Sequence, residues 1–229
     1  MYGKRINSKG RRSAVTAGAL LIVGLIAGIF SVVPVIDGAD YLAGASANEN
    51  QVLIGAFFQL VMVAAYVGVP VAIYPAISRH HKGAALGSVA FGAVSGTFIM
   101  IGTILLLALL ALSQKFVQSA APDAAYFQTL GELLRTGRDL VNHVATTLAF
   151  VLALLLINAV FGQTKQVPLW LSVPGLIGSV LSILACLLFM LRFIGLDAAY
   201  MLLNVPIALQ QLALAIWLIV KGTDRPLEQ

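Results

Sequence analysis

GRDLVNHVATTLAFVLALLLINAVF, residues 137–161, sets the most polar cluster of the chain directly ahead of a long apolar run. A helix needs roughly 20 residues to cross the hydrocarbon core of a bilayer, and Asp139 to Phe161 supply that length. Backbone groups in lipid must find partners within their own segment, so a long apolar run reads as a helix. The strict alternation of a barrel strand is missing from it. The stretch is expected to be a membrane span with its polar cluster at one mouth.

The rest of the chain repeats the pattern. It is 60% hydrophobic and 10% charged, far from the mix of a soluble globular domain. Six runs are long and apolar enough to span, at about 13–35, 51–77, 84–113, 139–161, 172–191 and 200–220. The expected fold is all-α, a polytopic transmembrane bundle of six helices in a single domain over residues 1–229. Pro70 and Pro75 predict a kink in the second span. In the long connection 114–138, Phe127, Leu130, Leu133 and Leu134 recur at helical spacing and predict a short amphipathic helix on the membrane surface.

Charge gives the orientation. Lys4, Arg5, Lys9, Arg11 and Arg12 precede the first span, Arg79 and Lys82 separate the second and third, Lys165 follows the fourth, and Lys221 and Arg225 follow the sixth. The other side holds Lys115, Arg135, Arg138 and Arg192 with most of the acids: Asp37, Asp40, Glu49, Asp123, Glu132, Asp139 and Asp197. Lysine and arginine collect on the cytoplasmic side, so both termini are expected inside (N-in/C-in). The net charge of +5 is then a topology signal. It points to membrane lipids as partners, with no nucleic acid. The small-x-small triplet ASA at 45–47 lies well past Pro34, so the first span reads as a retained helix.

Chemistry is sparse. No span interior contains Asp or Glu, and neither GxSxG nor HExxH occurs, so no catalytic residue is assigned. His80 and His81 sit in the basic turn RHHK, and His143 at the opposite end of a span. Most of the hydrocarbon core separates them, which argues against a three-ligand metal site or a haem; no metal and no cofactor is expected. The single cysteine, Cys186, reads as a small packing residue. Ala84, Ser88, Gly92 and Gly96 recur every fourth residue along the third span, and Gly24 and Gly28 form a second such pair in the first. Small residues let helices approach closely in lipid. The pattern leaves open whether the partner helix belongs to the same chain or to a second copy in a homo-oligomer.

Four stretches carry a family resemblance: IYPAISRHHKGAALGSVAFGAVSGTFIMIGTILLLALLALS (73–113), SAAPDAAYFQTLGELLRTGRD (119–139), VPLWLSVPGLIGSV (167–180) and VPIALQQLALAIWLIVKG (205–222). Together, and in this order, they resemble the bacterial membrane-protein family known as domain of unknown function 4386. The resemblance implies a six-span inner-membrane protein and no particular reaction. Many members of that family carry Arg and Glu in span three where this chain has Gly92 and Ser95, and Glu in span six where it has Gln211. By that resemblance this chain lacks the intramembrane charges of its relatives.

Two readings of GRDLVNHVATT compete. In one, Asp139 is the N-cap of the fourth helix, favoured by the helix dipole, and Arg138 lies in the headgroup layer. In the other, Asp139, Asn142, His143 and Thr146, spaced i, i+3, i+4, i+7, share one helix face that lines a pocket. Asn142 and His143 lie a turn deeper than a cap, where lipid offers them no partner. By depth, Gln59 and Gln211 are the residues expected to join them. The expected function is binding of a lipid or small apolar ligand in an outward-facing interhelical pocket, through His143, Asn142, Gln59 and Gln211, without catalysis. The alternatives are a structural or regulatory subunit acting through helix contacts, and a facilitator-type transporter.

Overall fold

The computed structural model describes residues 8–119 and 124–223. Lys4, Arg5, Asp123 and Arg225 of the charge pattern lie outside the described residues. Within them every regular element is helical. Six helices are long and apolar enough to cross a membrane, and the protein is a multi-pass membrane protein.

Helix α1 (Ser8–Phe30) ends before Pro34, which opens the short α2 (Pro34–Asp37); α3 (Tyr41–Ala47) follows. A proline is well placed at a first helical position, where its missing N–H has no intrahelical partner to lose. The first span is therefore shorter than its apolar run. Next come α4 (Glu49–Ile77), α5 (Lys82–Gln118), α6 (Ala124–Leu140), a π-helical turn (Val141–Thr146), α7 (Thr147–Thr164), α8 (Leu169–Met190) and α9 (Ala198–Val220). Helix α1 packs on α4, α4 on α5, α5 on α7, α7 on α8, α8 on α9 and α9 back on α1. The spans thus close into a ring in chain order. Arg79, Lys82, Lys165 and Lys221 gather at one end of it, the basic end.

The surface helix expected within 114–138 is not separate. It is α6, which runs through the π turn into α7 as one continuous helix of 40 residues over Ala125–Thr164. At 1.5 Å per residue that is about 60 Å, and the 37-residue α5 is about 55 Å. The hydrocarbon core is only about 30 Å thick. Helices α5 and α6 therefore form an antiparallel hairpin that projects beyond the ends of α1, α8 and α9. This is the hairpin end.

Two buried cores hold the ring. At the basic end Leu21, Ile73, Leu154, Ile157, Phe161, Leu214 and Leu218 fill the axis. At the hairpin end Val33, Ile36, Tyr41 and Leu42 cover Leu106, Leu109 and Leu110 of α5. The third-span stripe is spent on contact with α4 in the same chain. A Cβ at Gly92 would lie 2.8 Å from Pro70 Cγ and 3.0 Å from the Tyr66 carbonyl oxygen. That carbonyl has lost its normal donor, because Pro70 has no N–H. A Cβ at Gly96 would lie 2.6 Å from Val67 Cγ2. Ser88 is buried and donates to the Ala85 carbonyl, and Ala84 packs against the basic-end core. Gly24 faces Ala65. Gly28 does not continue the pattern: a Cβ there meets nothing within 4 Å.

Candidate functional site

The polar stretch that opens the fourth span occupies the π turn. A π turn takes one residue more than an α turn and loosens the backbone, so neighbours must satisfy its carbonyls. Three helices do so. Ser95 Oγ of α5 donates to the Thr146 carbonyl at 3.1 Å, and Tyr200 Oη of α9 donates to the His143 carbonyl at 2.9 Å. Cys186 Sγ of α8 donates to the same carbonyl at 3.3 Å. Within the helix, Thr147 Oγ1 donates to the Asn142 carbonyl at 3.2 Å. Cys186 is thus more than filler: it packs fully buried and ties α8 to the turn.

This geometry overturns the capping reading. Helix α6 continues through Asp139, so no helix begins there. Arg138 is buried, at 7% exposure, and does not reach toward headgroups. Its Nη1 lies 3.1 Å from Asp139 Oδ1 and 3.8 Å from Asp37 Oδ1 of α2. A buried guanidinium needs such partners, because desolvation without them costs several kcal/mol. One turn earlier Arg135 stacks over the Tyr41 ring at 5.3 Å, and its guanidinium donates to the Gly38 carbonyl at 3.4 Å. Burial, with Glu132 adding to it and Arg135 opposing, raises the Tyr41 hydroxyl above its ordinary value. It stays protonated and donates to the Gln128 carbonyl at 3.2 Å. These contacts seal α2 and α3 onto α6.

The four residues expected to converge are distributed differently. Asn142 turns toward α5: a Cβ at Gly102 would strike its side-chain oxygen, and only glycine leaves it room. Gln59 is buried next along α5, where the Thr103 hydroxyl is shared between Gln59 Oε1 at 2.8 Å and the Ile99 carbonyl at 2.9 Å. Asn142 and Gln59 therefore sit at one level on adjacent faces of α5. His143 points the other way, its ring edge-on to Tyr200 at 5.5 Å and to Phe189 at 6.4 Å. As consecutive residues, Asn142 and His143 point about 100° apart, so they do not line one face. Gln211 is half-buried on α9. Its neighbour Gln210 is the inward one, donating to Asn158 Oδ1 at 2.9 Å and the Leu171 carbonyl at 3.2 Å. Asn158, overlooked in the sequence, is fully buried and fits only because Gly175 lacks a side chain. Tyr200, Phe189 and Tyr66 were likewise overlooked, because aromatic residues in apolar runs carry no local mark of a site.

Between the two cores the open position lies on α1. On α1, Gly18 faces α9, where its Cβ would lie 2.6 Å from the Ala215 carbonyl oxygen, and Gly24 faces α4. At about 100° per residue, Gly28 falls between those two directions, on the face toward the bundle axis. Open space at Gly28 is therefore interior space. Near this level, Met62 and Tyr66 on α4, His143 in the π turn, and Leu203 and Asn204 on α9 are half-buried. Tyr66 and Phe150 stack across the bundle at 3.8 Å and form the floor. Among the described residues, no three His, Cys, Asp or Glu side chains group as metal ligands would.

No curated protein and no solved structure matches the chain. A family model does, over residues 16–222, from the first membrane helix through the last. The chain belongs to that family, described as a domain of unknown function (DUF4386).

Proposed function

We propose that this is a non-enzymatic bacterial inner-membrane protein, both termini cytoplasmic, that binds a lipid or small apolar molecule in an interhelical pocket in its outward-facing half, toward the hairpin end. The open position at Gly28, between the two cores, carries the proposal. A packed helical interior leaves few voids larger than a water, yet a Cβ at Gly28 would meet nothing within 4 Å, and half-buried side chains lie near that level on α4, the π turn and α9. Its lining suits a ligand site, mostly apolar with a few hydrogen-bonding groups: Tyr66, His143 and Asn204. His143 is the hydrogen-bonding partner at the rim, Asn142 and Gln59 brace the α5 side, and Gln211 lies lower on α9.

Native mass spectrometry of the protein in mild detergent tests this reading. A discrete retained non-protein mass is expected, together with ligand-dependent thermal stabilisation that disappears in His143→Ala while the variant stays folded. A clean apoprotein, equally stable with and without His143, would reduce the cluster to polar glue between helices.

A further inference from the structure

We propose that the ligand is a bilayer lipid with a neutral, hydrogen-bond-accepting head, and that it reaches the layer around Gly28 sideways, between α1 and α9 at the hairpin end. The inference rests on the binding reading above and specifies its route and ligand class. The α1–α9 seam is closed at the basic end, where Gly18 presses on the Ala215 carbonyl oxygen and Ile219. Ten residues further along α1, Gly28 meets no atom within 4 Å. The rim at that level is apolar and outward-facing: Ile29 on α1, Met201 and Val205 on α9, and Leu202, which is 72% exposed. Helix α9 is also weakest there, because Pro206 has no N–H to give to the Leu202 carbonyl.

Approach from water is closed by contrast. The Asp37–Arg138–Asp139 cluster and the buried Val33 and Ile36 seal α2 and α3 over the hairpin side. Leu21 and the basic-end core plug the axis from the other side. Inside the layer the described residues carry no Asp, Glu, Lys or Arg, and the nearest charges, Arg138 and Asp139, are paired with each other. An ionised head would have to shed its water there without a counter-charge, a cost of several kcal/mol. A neutral head needs only donors. The Tyr66 hydroxyl and the His143 imidazole provide them, while the Tyr200 hydroxyl is already given to the His143 carbonyl.

The test reconstitutes the full chain in phosphatidylcholine vesicles containing a diacylglycerol with a photoactivatable diazirine in one tail, and maps the labelled peptides. Labelling of interior positions, Tyr66 or residues 141–146, alongside the rim of α1 and α9 is expected, with loss of the interior labels in Gly28→Trp. Tyr66→Phe, which removes one hydroxyl and no volume, is expected to weaken interior labelling even if Gly28→Trp does not fold. Labelling confined to lipid-facing residues overturns the lateral route. If native mass spectrometry still finds a retained water-soluble mass, the binding reading survives that failure; if it finds none, both fall.

Discussion

The two halves of the ring are built from the same oily helices but packed to different standards. At the basic end, contacts are between backbones. A Cβ at Gly18 would lie 2.6 Å from the Ala215 carbonyl oxygen and 3.3 Å from the Ile219 nitrogen. Toward the hairpin end the axis loosens, glycine at 28 faces empty space, and hydrogen bonds and charges do the holding. Lipid offers helices no hydrophobic drive to associate, so close packing must supply cohesion somewhere.

The sharpest way to break this comparison is to add the same side chain at both ends. Gly18→Leu is expected to cost roughly 3 kcal/mol or more, because backbone atoms of α9 cannot step aside. Gly28→Leu is expected to be neutral or to stabilise by up to about 1 kcal/mol, the helix-propensity gain over glycine. Thermal unfolding in detergent reads both; equal losses would mean that the layer is packed after all.

Charge removal is the next largest effect. Arg138→Met strands Asp139 in a partly buried site and is expected to cost roughly 2 kcal/mol. Asp37→Asn, whose carboxylate is 59% exposed, is expected to cost about 0.5 kcal/mol or less. The reverse order in denaturation midpoints would place the weight of the cluster on α2.

Smaller again is Tyr200→Phe, which deletes one hydrogen bond to the π turn at a cost of about 1 kcal/mol. Faster amide exchange confined to residues 141–147 would show that the bond braces the turn; uniform change would not. His143→Ala in ligand-free protein is expected to shift stability least, by under about 1 kcal/mol, since the ring is only half-buried. A larger loss without ligand would recast His143 as a structural member of the turn.

Spacing arguments failed at particular places. Asp139, Asn142 and His143 share a face only if the helix keeps its α period, and the π turn breaks that period between α6 and α7. The family resemblance pointed to Gly92 and Ser95, and both are used locally. Gly92 accommodates Pro70, and Ser95 satisfies the Thr146 carbonyl. Neither use is visible without the neighbouring helix. Gln210 and Gln211 are indistinguishable by depth, and only the rotation of α9 turns Gln210 toward Asn158.

The sequence alone determined the class, the six spans and the basic end, because transfer into lipid depends on local composition and on length. Tertiary structure alone decided that α6 and α7 are one helix, that Arg138 is buried, that the glycine stripe meets α4, and that Gly28 meets no neighbouring atom. Those outcomes depend on which faces meet and how closely, a property of pairs of helices that no single helix encodes.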